Sequence, residues 1–177
     1  LYRNNAKGEL QFTVLDLNNN QRIDLGIDRI VETERSVGVR DGVDVQRTDT
    51  YGYLAAGSTA RTLVAREEVS TDGKHRWSTQ YRDAETPVTW EDITEYLAQP
   101  HSRTETAKAP DGTSTVSTYE FGRLTQVEHR DTAGGILSGL VYQYDTHGRV
   151  QYLVDLRNAP AGGIGAGDRS EEHTSEL

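Results

Sequence analysis

Cysteine and methionine are both absent from the 177 residues. Without cysteine there can be no disulfide, no thiolate metal site and no cysteine nucleophile. The same absence does not identify a compartment, because secreted repeat proteins and cytosolic proteins can both lack it. Without methionine there is no initiator residue, and the chain reads as an internal fragment. Apolar residues are sparse as well: the hydrophobic share is 34%. Counted with glycine and without tyrosine it is roughly 38%, against ~45–50% in ordinary soluble domains. That is little material for a compact core, whereas thin sheets that wind past one another need fewer fully buried residues per length. Basic residues are outnumbered 19 to 28, giving a formal charge of −9. An acidic chain with no basic stripe lacks the phosphate-neutralising charge on which nucleic-acid binding rests. No run approaches the ~18 apolar residues of a membrane helix, and no signal peptide is visible.

What the chain does have is alternation broken by turns. Val31, Thr33, Val37 and Val39 fall on odd positions, Asp41-Gly42 follows, and Val43 and Val45 resume the pattern. Asp-Gly between β-branched arms is a strong hairpin signal. Leu63 and Val69 precede Asp72-Gly73, and Trp77, Thr79 and Tyr81 alternate after it. Pro110-Asp111-Gly112 separates residues 104–109 from 113–119, and Asp131 to Gly135 turns the chain into Ile136–Tyr144. The composition and these turns predict an all-β chain of successive antiparallel hairpins. Only Thr89–Gln99 admits a second reading. Thr89 and Asp92 resemble a capping pair and Trp90, Ile93, Tyr96 and Leu97 sit at helical spacing, while Pro87, Pro100 and the strand-rich surroundings favour an irregular strand.

The most informative stretch is Tyr144-Asp145-Thr146-His147-Gly148-Arg149-Val150, with Asp155 beyond it. Leu140, Tyr142 and Tyr144 precede the turn at a spacing of two, and Val150, Tyr152 and Val154 follow it in the same way. Asp145 can accept backbone hydrogen bonds from two residues on, and Gly148 tolerates the positive φ of a tight exit. A shorter copy lies upstream, Tyr119-Glu120-Phe121-Gly122-Arg123-Leu124 with Asp131 beyond, in which Glu replaces Asp and a residue before Gly is missing. The two Gly-Arg pairs are about 26 residues apart, within the periods of stacked arrays.

The pattern Tyr-Asp-x-x-Gly-Arg-Val/Leu resembles the YD repeat of the Rhs family, which includes insecticidal toxin-complex shells and the teneurins. The resemblance covers residues 104–160 clearly and the divergent hairpins of 1–103 loosely. It implies a spiralling sheet of stacked hairpins, secreted or at the cell surface, forming a hollow shell around a C-terminal toxin domain or an adhesive stalk. Its implied partners are neighbouring repeats of the same chain, an encapsulated toxin domain and cell-surface glycans. It transfers no catalytic residue, because the family's toxin and self-cleavage regions have no counterpart here. An array piece without its neighbours exposes sheet edges, which predicts poor solubility in isolation.

The best candidate for a ligand site is Asp16, Asn18, Asn20 and Asp24, oxygen ligands at positions one, three, five and nine of a calcium-type loop. Gln21 stands where glycine normally permits the turn, and Ile27 stands where a bidentate carboxylate should close the shell, with Asp28 one place late. The alternative is an Asx-rich turn whose side chains satisfy backbone donors. No metal ligand, cofactor site or catalytic residue is assigned. His75, His101, His129, His147 and His173 show no zinc spacing, and there is no Gly-x-Ser-x-Gly elbow. The pairs Glu67-Glu68 and Glu91-Asp92 suit solvated strand faces as well as acid-base chemistry. Gly162 to Gly167 resembles a phosphate loop but lacks the following helix, so it reads as a loop of residues 161–168. Trp77, Tyr81, Tyr142, Tyr144 and Tyr152 are expected to form cross-strand aromatic pairs, with a glycan-stacking surface as the other reading. Residues 169–177 look like an in-frame translation of a sequencing adapter and are set aside from the fold.

Overall fold

The computed structural model describes residues 1–53, 57–82 and 86–156. The glycine-rich segment 162–167 and the adapter-like stretch 169–177 lie outside them. Twelve strands follow one another: β1 (Tyr2–Asn4), β2 (Leu10–Leu15), β3 (Arg29–Arg40), β4 (Val43–Gly52), β5 (Thr62–Ser70), β6 (His75–Tyr81), β7 (Pro87–Tyr96), β8 (Ser102–Lys108), β9 (Ser114–Glu120), β10 (Arg123–Arg130), β11 (Ile136–Tyr144) and β12 (Val150–Asp155). They form one open antiparallel sheet in which spatial order equals chain order. The all-β succession of hairpins therefore stands. By compactness the chain divides into Leu1–Glu95 with Glu105–Gly112, and Tyr96–Thr104 with the residues from Thr113 on.

Thr89–Gln99 is strand over most of its length. β7 pairs with β6 in unbroken register from Tyr81↔Pro87 to His75↔Ile93. Pairing along a whole strand satisfies more backbone groups than one capped turn of helix could, and it overrides the helical spacing of Trp90 and Ile93.

Asx side chains close several turns of this chain in the same way. Asp145 accepts through Oδ1 from the amides of His147 (2.8 Å) and Arg149 (2.9 Å), while Gly148 N–H donates to the Asp145 carbonyl at 3.0 Å. Asp131 does the same with Ala133 and Gly135, and so does Asn5 with Lys7 and Glu9. In each the glycine at the fourth position has positive φ. The recurring unit is Asp/Asn-x-x-Gly, and its first copy, Asn5-Ala6-Lys7-Gly8, escapes a search for Tyr-Asp because Asn replaces Asp. The shortened copy also has a physical form. Phe121 (φ 49°) and Gly122 (φ 79°) make a two-residue turn closed by Glu120 and Arg123, the same conformation as Asp41-Gly42 between Arg40 and Val43.

In the first unit the buried side chains sit on one face of the sheet and are mostly polar. Register places Ser36, Arg47, Glu68, Trp77 and Glu91 in one row across β3–β7, and Glu34, Asp49, Arg66, Thr79 and Thr89 in the next. Glu68 is 2% exposed, between Arg40 (Nη1 2.6 Å) and Arg47 (Nη2 2.7 Å). Asp49 takes a two-point contact from Arg66, at 2.6 and 2.9 Å. Thr79 and Thr89 share a hydroxyl hydrogen bond at 2.9 Å. Among the described residues, apolar burial is limited to Trp77 in the first of these rows, Val45 in the adjoining row with Gly38 and Ser70, and a small cluster of Phe12, Val14 and Ile30 flanked by Ile23 and Tyr53. Arginine stems cover the sheet while their guanidinium groups hold buried carboxylates, so the low apolar content is matched by charge pairing.

Candidate functional site

The Asp16 loop is closed on itself. Asp16 accepts from the amides of Asn20 (3.3 Å) and Gln21 (2.7 Å), and Asn20 Oδ1 accepts from Arg22 N–H at 2.8 Å. Asp24 Oδ2 accepts from the side-chain amides of Asn18 and Asn20, which hold its carboxyl below the usual aspartate range. Gln21 supplies the left-handed turn itself, at φ 61°. Asp28, one position late for a calcium shell, is 4% exposed and accepts from Leu17 N–H (3.0 Å) and Asp24 N–H (2.9 Å). The geometry is that of the Asx-rich turn, with side-chain oxygens answering backbone donors. Among the described residues no group of three or more His, Asp or Glu side chains is placed to hold a metal ion.

The carboxylate pairs are separated by the pleat. Glu68 lies on the buried face, while Glu67 meets Ser78 Oγ at 2.5 Å and Arg76 at 3.3 Å on the other. Glu91 faces Lys108 (2.9 Å) and His75 (3.8 Å), and its neighbour Asp92 points the opposite way. Burial pushes the Glu91 carboxyl up, but the Lys108 hydrogen bond and charge outweigh it and the net direction is down. His75 stacks on Trp77 at 5.3 Å, and its Nδ1 is buried without a hydrogen-bond partner. His129 contacts Thr115 at 3.0 Å, and His147 lies 4.0 Å from Asp145.

The tyrosines and tryptophan do not pair with one another in the ring contacts of the described residues. Of the expected set, Trp77 and Tyr144 take arginines instead, Arg40 at 5.0 Å and Arg123 at 5.5 Å, and so do Tyr51 from Arg61 (4.1 Å) and Tyr119 from Arg103 (4.2 Å). A cation over a ring face is attracted by the ring quadrupole, and an acidic chain that keeps its arginines on rings and carboxylates leaves fewer of them loose. Beyond the turn, a register shift between Gln143 and Tyr144 sets Tyr152 opposite Gln143, on the face away from Tyr142.

The Tyr119 copy and the Tyr144 copy interlock through these contacts. Tyr119 of the first carries Arg103 from β8, and Tyr144 of the second carries Arg123, the arginine of the first copy. Tyr144 Oη also donates to the Leu124 carbonyl at 2.7 Å. Gly148 has φ 83°, and a Cβ there would stand 2.7 Å from Arg123 Nη2. Glycine thus serves both the turn and the seat of the preceding arginine. Arg149 returns to Asp145 (Nε to Oδ2 2.8 Å), whose carboxyl is held low first by the Arg149 backbone N–H, against some desolvation.

In the second unit two turns bring rings to one concavity of about 380 Å³ lined by Tyr96, His101, Ser102, Arg103, Phe121 and Gly122. Gln99-Pro100-His101-Ser102 closes with Ser102 N–H to the Gln99 carbonyl at 3.3 Å, and His101 takes φ 59°. This is a turn with Pro second and a left-handed third residue, a place for Gly or Asn. Phe121 N–H donates to the His101 carbonyl at 2.9 Å, and the two rings lie 5.5 Å apart, tilted by 38°. Sequence reasoning missed both residues, since neither is a turn former; each left-handed ring residue costs of the order of 1–3 kcal/mol. A smaller hollow of about 230 Å³ is lined by Val127, His129, Ser138, Gly139, Leu140 and Asp155. Comparisons with family models, with curated proteins and with solved structures give no match.

Proposed function

We propose that the chain is a scaffold: a run of YD-type hairpins of the kind found in Rhs shells, acting by its architecture and not by chemistry. The observation that carries this reading is the interlock in which the arginine of one copy lies over the tyrosine of the next while the next copy's glycine makes room for it. A contact of that kind gains nothing in a single hairpin and repeats wherever another hairpin is added. The strand order, which never departs from chain order, supports the same reading, since a meander can be extended without changing what is already built. In this reading the array belongs to a secreted or cell-surface shell that encloses a toxin domain, or to a stalk, and its nearest partners are further repeats.

The test is extension. The chain through Leu156 is lengthened by one, two or three further copies of residues 113–156, and thermal unfolding is followed by circular dichroism. A repeat array gains stability with each added neighbour until the increments level off. Midpoints that stay constant as copies are added would overturn the scaffold reading.

A further inference from the structure

We propose that β3 pairs edge to edge with β3 of a second copy of this chain, about a two-fold axis at Gly38. β3 runs for 12 residues and β2 for only 6, and β2 pairs with it from Arg29 to Glu32 alone. β2 begins at Leu10, fed by the Asn5–Gly8 turn, so past that turn the side of β3 away from β4 has no neighbouring strand. The Ile30 carbonyl accepts from Tyr53 N–H on the β4 side, and backbone groups alternate between the two sides of an antiparallel strand. The N–H and C=O groups of Arg35, Val37 and Val39 therefore point to the open side, where no group of the described residues meets them. Val37 is 82% exposed and Val39 63%. Exposed edges are ordinarily blunted by lysine, proline or a bulge. Arg35–Val39 contains no lysine or proline, and its register with β4 is unbroken through to Arg40↔Val43. Such an edge is a template for one more strand.

Register and charge select a second copy as that strand. Two sheets related by a two-fold axis normal to their plane keep the same face up, so each residue meets one an even number of places away. With Gly38 on the axis, Val37 stands opposite Val39 of the second copy and Arg35 opposite its Asp41, and each pair occurs twice. Arg35 is exposed, and Asp41 is 78% exposed with Arg40 at 3.7 Å as its ion-pair neighbour. Val37 and Val39 then occupy hydrogen-bonded positions, and two glycines meet at the centre without side chains to clash. Placing the axis at Val37 would bring the Asp41-Gly42 tip opposite Thr33, into the lane of β2. Placing it at Val39 would set Val37 against Asp41. The scaffold reading neither requires nor forbids this pairing, so either can fail alone.

The test is sedimentation velocity over a concentration series, using the 177-residue chain with Leu153→Lys to set association through β12 aside. A monomer–dimer equilibrium is expected. Val37→Lys should weaken it about tenfold while leaving the melting point of the dilute protein unchanged, because that side chain stands in solvent. Arg35→Glu should weaken it too, and adding Asp41→Lys to Arg35→Glu should restore it. The chain has no cysteine, so a mixture of Val37→Cys and Val39→Cys chains should form a disulfide-linked pair faster than either chain alone, at a Cα separation of about 5.5 Å. A chain that stays monomeric, a dimer indifferent to Val37→Lys, one not restored by the charge exchange, or cross-linking no faster in the mixture would each overturn the pairing.

Discussion

Replacing Glu68 by glutamine tests whether buried charge pairing takes the place of an apolar core. The side chain is 2% exposed and accepts from Arg40 Nη1 at 2.6 Å and Arg47 Nε at 2.8 Å. Glutamine keeps the shape but leaves one carbonyl oxygen for two guanidinium groups and turns an NH2 toward the other. One charge-assisted hydrogen bond is lost, at about 1.5–3 kcal/mol, and a donor is set against a donor. Both arginines are about a quarter exposed and can recover some hydration, which holds the total to about 2–3 kcal/mol. For a chain of this size that lowers the melting midpoint by about 4–12 °C. Calorimetry measures it, and tryptophan fluorescence in urea reports on the same place, because Trp77 lies opposite Glu68 in the register. Glu67→Gln, on the other face and more exposed, should stay within about 0.5 kcal/mol of wild type. Burial pushes the Glu68 carboxyl up, yet the Arg40 and Arg47 hydrogen bonds and charges outweigh it and its folded pKa is lowered. Its contribution is therefore complete above the ordinary glutamate value of about 4.3 and disappears as pH falls below that through the folded value. Wild type should lose stability over that window more steeply than Glu68→Gln. A glutamine variant as stable as wild type at pH 7, with the same acid limb, would refute the reasoning.

Gly148→Ala forces a Cβ into a left-handed position against the end of Arg123, so a loss of about 1–2 kcal/mol is expected by urea titration. In an Arg123→Ala background the same change should cost measurably less, since only the backbone part remains. Asp28→Ala removes the acceptor of two loop amides from a nearly buried position; about 2–4 kcal/mol should go, and hydrogen exchange at Leu17 and Asp24 should quicken. At β12, Val150, Tyr152 and Leu153 are more than half exposed, and no strand among the described residues lies beyond it. Leu153→Lys should reduce concentration-dependent association in sedimentation runs without lowering the melting point, and association unchanged by it would place the contact elsewhere.

The turns were legible because their chemistry is local. Asp41-Gly42 and Asp145-x-x-Gly148 name the backbone conformation they need, and period two between them leaves little choice but strands. The inner face was not, because alternation says which residues share a side and not which side is covered. Along β5, Arg66, Glu68 and Ser70 alternate with Glu67 and Val69, and an apolar criterion would turn Val69 inward. Across the sheet, however, Glu68 meets Arg47 on one side and Trp77 on the other, which no single strand reveals. The same holds for the rings. A tyrosine alone suggests a cross-strand aromatic partner, but Tyr119 and Tyr144 each meet an arginine from an adjacent region of the same unit. Both failures come from pairing across the sheet. When the partner of a charge or a ring is the next hairpin, its identity is fixed by register, and register is set by turn length. The two-residue Phe121-Gly122 turn and the longer Asp145 turn thereby decide which arginine reaches which tyrosine. One residue inserted into the Phe121 turn should shift β9 against β10 and exchange the faces on one side of the pair, separating Arg123 from Tyr144 or Arg103 from Tyr119 while every strand keeps its own sequence.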